Sequence, residues 1–176
     1  MFIDADRSKT RRERYDIKSK DSLELPASLA TVNFCFDENL AFLIRSAACY
    51  GIIDIFVIGS TPDRSKLSSK SGSLVDYVNM LSFSSPSSFI EHCRNNDINI
   101  VSVELARCAT SIHEYSFDFR RRTVLVIGNE SSGVPSEILH NSDVLYIPML
   151  GQGYCLNASQ AGTAVMHEYC RQFLGT

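Results

Sequence analysis

The sequence predicts an α/β protein with a mainly parallel sheet covered by helices on both faces. Three observations carry this. Short stretches such as 52–58 and 124–127 are almost wholly β-branched, aromatic or aliphatic, as strands buried on both faces are. Other segments space their apolar residues as a helix does. The two kinds alternate along the chain, which is the order of βα units.

Taken in order, residues 1–28 read as a basic, flexible N-terminal arm. Arg7, Lys9, Arg11, Arg12, Arg14, Lys18 and Lys20 alternate there with acids and small polar residues, and few apolar side chains are available to bury. Such an arm is either a solvated leader or a contact for phosphates. Residues 29–176 form the domain proper. Residues 29–36 are the first strand. Asp37 is placed to cap a helix in which Leu40, Leu43, Ile44, Ala47 and Ala48 share a face, and Gly51 stops it. A strand at 52–58 follows, then a Ser-, Lys- and Gly-rich loop over 61–73. Strands are expected at 75–83, 98–103, 124–127 and 144–149, and helices at 87–95, 135–139 and 158–173. Asn157 or Ser159 can cap the last helix.

The bulk numbers exclude several classes. A chain of 176 residues, 44% apolar and 21% charged, fits one soluble globular domain. No apolar run approaches the roughly 20 residues of a membrane span, and the polar N-terminus lacks a secretory pattern. The six cysteines, 35, 49, 93, 108, 155 and 170, form no Cys-x-x-Cys pair. No metal site is expected, and the reduced cytoplasm is the expected compartment. A net charge of −3 excludes a wholly basic nucleic-acid binder but allows a local basic patch. Dinucleotide and P-loop glycine fingerprints, the zinc-protease helix and the serine-hydrolase elbow are all missing.

Three stretches remain that suit chemistry. In the first, Asn39 precedes Arg45, which lies off the apolar face of its helix. Arg45 is a surface arginine or a fixed cation beside a polyanion, for which its planar fork is suited. In the second, Gly128-Asn129-Glu130-Ser131-Ser132-Gly133 leaves a buried strand at its carboxyl end, where open α/β sheets bind ligands. Glu130 there is a ribose ligand, a general base, a partner for Arg45 or a solvated turn residue. In the third, Ile147-Pro148-Met149 and Gly151 lead through Cys155-Leu156-Asn157 into the last helix, offering an apolar wall beside free backbone groups, as an adenine ring requires.

Together these stretches resemble the SpoU family of RNA 2′-O-ribose methyltransferases, within the SPOUT superfamily. The likeness covers residues 29 to 174. It rests on Asn39 through Arg45, on Gly128, Glu130 and Gly133, and on Ile147-Pro148-Met149, Gly151 and Leu156-Asn157-Ala158-Ser159. It implies a C-terminal trefoil knot, a homodimer, an RNA substrate (tRNA before rRNA) and S-adenosylmethionine as cofactor. By position, Val103, Gly128, Ile147, Met149 and Leu156 would hold the cofactor. Arg45 would be catalytic, with Asn39, Glu130 and Asn157 orienting substrate and site, and Ala158, Ala161 and Ala164 would suit a dimer seam. Two positions depart from the pattern: Ala41 stands for a Gly and Cys155 for a Ser. The alternative is a non-catalytic RNA-binding or assembly module that retains the fold.

Overall fold

The computed structural model describes residues 8–175. Its seven strands are β1 (Ala27–Val32), β2 (Asp54–Ile58), β3 (Asn79–Phe83), β4 (Asn99–Val103), β5 (Thr110–Ser111), β6 (Thr123–Ile127) and β7 (Asp143–Tyr146). They form one sheet, ordered β3-β2-β1-β6-β4-β7-β5, and every pairing is parallel. The helices are α1 (Arg11–Ser19), α2 (Asp37–Tyr50), α3 (Arg64–Ser71), α4 (Pro86–Asn95), α5 (Ser136–Leu139) and α6 (Ala158–Leu174).

Strand alternation sorts the core into two layers. Leu29 and Leu125 face a cluster with Leu40, Leu43 and Ile44 of α2, Leu67 of α3 and Val165, Met166 and Tyr169 of α6. Their neighbours Ala30, Val124 and Val126 face Phe89, Ile90 and Cys93 of α4 and Ile138 of α5. The central strands are therefore buried on both sides, which is why they read as continuous apolar runs. Glycine lets α6 sit close: a Cβ at Gly162 would come 2.4 Å from Leu43 Cδ2 and 3.2 Å from Ile127.

Several boundaries differ from the sequence reading. The first strand ends at Val32, because Asn33 turns into the left-handed region with φ 46. Asp37 is not the cap of α2. Phe36 holds that position without a side-chain bond, and Asp37 pairs with Lys66 at 3.4 Å. Gly51 does end α2, with φ 75. The expected loop at 61–73 contains α3, whose buried Leu67 docks beside α2 and overrides the weak propensity of its serines. The expected strand at 75–83 opens with a 3₁₀ turn over Leu74–Tyr77 before β3. The last strand stops at Tyr146, leaving 147–149 to the loop.

Part of the N-terminal segment is helical. In α1, Thr10 and Glu13 form a reciprocal capping box, Tyr15 meets the Tyr77 ring edge-on at 5.8 Å, and Tyr77 donates to Asp16 at 2.7 Å. Arg7 lies outside the described residues. The arginine triplet is engaged with acids: Arg120 with Asp118, Arg121 with Asp97, and Arg122 with both Asp54 and Glu24.

Candidate active site

Parallel strands deliver their loops to one edge of the sheet. The loops after β1, β4, β6 and β7 meet there around an open cavity of about 540 Å³. Asn39 comes from the first turn of α2, Val103 from the end of β4, Gly128 and Glu130 from the turn after β6. Ile147, Met149, Leu156 and Asn157 come from the loop between β7 and α6. All eight line the cavity, with Phe36, Glu104, Tyr146, Tyr154 and Cys155 among their neighbours. Arg45 does not line it. It is exposed, six residues beyond Asn39, which is about 9 Å of helix rise.

A chain of hydrogen bonds runs across one wall. The Asn157 Oδ1 accepts from the Ser159 backbone N–H at 2.9 Å and from its hydroxyl at 2.7 Å, capping α6. Asn157 Nδ2 then donates to Asn39 Oδ1 at 3.1 Å, and Asn39 Nδ2 donates to Glu130 Oε1 at 2.7 Å. Backbone N–H groups of Cys35 and Phe36 donate to the same carboxylate at 2.8 and 3.4 Å. The backbone donor at Ser159 fixes which end of Asn157 is oxygen, and that choice propagates to Asn39 and Glu130.

Burial alone would push the Glu130 carboxyl up. The Cys35 N–H, the Asn39 amide, its own backbone N–H and the Phe36 N–H outweigh that and hold it below its ordinary value. Glu130 is thus an ionised, fully engaged strut between the β1–α2 loop and the turn after β6. It pairs with Asn39 rather than with Arg45.

The turn after β6 is built to bring backbone to the cavity. A Cβ at Gly128 would lie 2.3 Å from the Gly133 carbonyl carbon and 2.4 Å from Val134 N. Asn129 accepts from the Ser131 and Ser132 N–H groups and donates to the Asn33 carbonyl. Glu104, which sequence reasoning did not single out, accepts from the N–H groups of Val134 and Leu105, each at 2.9 Å. No motif marks it, because one partner is the backbone of the next residue and the other a backbone group on a distant loop.

Fold and cavity define a parallel α/β protein with an open cavity beyond the carboxyl ends of its strands, the place where open α/β sheets bind ligands. Residues 27–167 match the SpoU rRNA Methylase family, and the chain belongs to that family. It is 27% identical over 139 residues to a tRNA (guanosine(18)-2'-O)-methyltransferase of Aquifex aeolicus (strain VF5), covering 77% of this chain and 64% of the relative. It is 32% identical over 143 residues to a 23S rRNA (uridine(2479)-2'-O)-methyltransferase of Streptomyces viridochromogenes, covering 76% and 48%. The chain therefore spans about half to two thirds of the length of the curated relatives it matches. Its fold is similar to that of the A. aeolicus TrmH/SpoU tRNA modifying enzyme, with TM-score 0.80, 21% identity and coverage of 93% and 84%. The SpoU methyltransferase AviRb from S. viridochromogenes in complex with AdoMet matches with TM-score 0.74, 24% identity and coverage of 90% and 65%.

Proposed function

We propose that this chain transfers a methyl group from S-adenosylmethionine to a ribose 2′-hydroxyl of RNA, tRNA before rRNA, as a homodimer in the cytoplasm. One observation carries the reading: in a chain of this family, seven residues from three separated stretches, with Val103 from the end of β4, meet at one cavity, and the Asn157–Asn39–Glu130 chain locks its wall. The names of the relatives support RNA ribose as substrate, and the AdoMet complex of a neighbour supports the cofactor.

The residues suit that cofactor. Ile147, Met149 and Leu156 give an apolar slot. Among the described residues, the backbone of 147–156 forms no backbone–backbone hydrogen bond, so its N–H and C=O groups are available to an adenine edge. Gly128, with no side chain, lets the turn after β6 close on its own backbone at the cavity. When bound, S-adenosylmethionine supplies an electrophilic methyl on sulfonium. The chain's own part is positioning, which contributes several kcal/mol. Glu130, ionised and engaged, is a poor proton acceptor. Arg45, through its guanidinium fork, stabilises the developing alkoxide and a neighbouring phosphate, while water takes the proton. Cys155 needs no nucleophilic role, because direct transfer passes through no covalent intermediate with the protein.

The trefoil knot comes to this reading from the family. α6 is fastened along one face, with Gly162 close to Leu43 of α2 and Phe117 and Phe119 against Tyr169 at 4.8 and 5.1 Å, and Gln172 bonds the backbone of both Tyr115 and Phe117. The dimer is supported by large exposed apolar side chains near the site, Phe36, Phe42, Leu150 and Tyr154. For the compartment, the support is six free cysteines, and no helix among the described residues long and apolar enough to cross a membrane.

The non-catalytic alternative draws on one observation, the position of Arg45 outside the cavity. Calorimetry decides between them: S-adenosylmethionine and S-adenosylhomocysteine bind if the enzyme reading holds, and neither binds if the chain is only a module. Mass-spectrometric mapping of 2′-O-methyl groups in RNA from cells lacking the protein then identifies the target.

A further inference from the structure

Gly72 ends α3 in the left-handed conformation, φ 68, and is buried under side chains from two other helices. A point one Cβ bond out from Gly72 has three nearest neighbours. They are a terminal guanidinium nitrogen of Arg11 at 3.6 Å, one of Arg45 at 3.8 Å and the hydroxyl oxygen of Tyr15 at 3.9 Å. Two cations and a hydroxyl thus converge. Among the described residues neither arginine has an acidic partner. Arg64, at the start of α3, is by contrast held by Asp76 at 2.5 Å.

Two guanidinium groups set together repel one another unless an anion lies between them. The two nitrogens are at most about 7.4 Å apart, within the reach of one phosphate that accepts a ~2.8 Å hydrogen bond from each. The helix that brings Arg11 here is held by the Tyr15–Tyr77 ring contact and the Tyr77–Asp16 hydrogen bond. Its placement is therefore not that of a free tail.

We propose that Arg11, Arg45 and Tyr15 form a seat for one phosphodiester of the RNA. In this seat α1 supplies the second cation and so fixes Arg45 against the backbone beside the acceptor ribose. The seat rests on the RNA reading above. It makes α1 part of the substrate site and Arg11 a binding residue that the three motif stretches do not contain.

The test measures binding of unfractionated tRNA across a series of KCl concentrations, with calorimetry of S-adenosylmethionine alongside. Arg11→Ala weakens tRNA roughly tenfold and flattens the plot of log affinity against log salt by about 0.7 to 0.9, the share of one phosphate contact. Arg11→Lys retains most of the affinity, and Tyr15→Phe loses less than Arg11→Ala. Lys18→Ala, at the far end of α1, changes affinity less than twofold. Cofactor binding and the thermal midpoint stay at wild-type values in all four. Wild-type affinity and slope in Arg11→Ala overturn the seat and leave the methyltransferase reading standing. An equal loss in Lys18→Ala also overturns it, since a diffuse basic helix then suffices. If the wild-type protein binds no tRNA and transfers no methyl group, both readings fall.

Discussion

Changing Glu130 to Gln tests the hydrogen-bond chain that holds the site. The carboxylate accepts from Asn39 Nδ2 at 2.7 Å and from Cys35 N at 2.8 Å. An amide keeps one acceptor and turns the other position into a donor, so a donor meets a donor. Asn39 cannot rotate to repair this, because its oxygen is engaged by Asn157, whose own orientation is set by the Ser159 backbone. A hydrogen bond to a charged group contributes about 1.5–3 kcal/mol, so Glu130→Gln is expected to lower unfolding free energy by roughly that amount. Chemical denaturation reads it. The same logic names a rescue. With Asn39→Asp added, the new amide donates to one aspartate oxygen while the other still accepts from Asn157, and more than half of the loss returns. A loss under ~0.5 kcal/mol in the single variant, or no recovery in the double, refutes the chain as described.

Other outcomes follow from the same geometry. Arg45→Ala lowers kcat by about 10²–10³ with cofactor affinity unchanged, and Arg45→Lys keeps part of the activity; near-complete loss in Arg45→Lys with RNA and cofactor binding intact contradicts a role through charge. Gly128→Ala forces a Cβ to 2.3 Å from the Gly133 backbone, so a stability loss of about 1–3 kcal/mol and weaker S-adenosylmethionine binding are expected by denaturation and calorimetry. Hydrogen bonds from Arg171 hold the Glu168 carboxyl down; burial opposes them, Gln172 reinforces them, and the group titrates at about 2 rather than 4.5. Its folded pKa is depressed, so the stability it adds is complete above about pH 4.5 and is lost as pH falls through about 2. Denaturation midpoints measured against pH should show that decline flattened in Glu168→Gln.

The sheet was legible because its central strands are buried on both faces, so that β2, β4 and β6 read as near-continuous apolar runs. Eight of the nine expected site residues line one cavity, all but Arg45, because parallel strands place their carboxyl-end loops together. What escaped depends on tertiary contact. Helix α3 is held by one buried leucine among serines, and β5 is only two residues long, paired to β7. The capping box of α1 is written in the sequence as Thr10-x-x-Glu13 and was outweighed by the polar composition around it. Glu104 and Arg11 act on backbone and side chains distant in the chain, so no spacing announces either. The Arg122 ion pairs with Asp54 and Glu24 join segments 68 and 98 residues apart, so no local pattern shows them.

The central claim is methyl transfer to a ribose 2′-oxygen. Incubating the protein with S-adenosylmethionine labelled in its methyl group and with unmodified tRNA and rRNA, followed by alkaline hydrolysis, tests it most directly. A methylated 2′-oxygen cannot attack the adjacent phosphate, so the account predicts label in an alkali-stable dinucleotide. Label released in single nucleotides, or no transfer to either RNA by a protein that binds the cofactor, contradicts it.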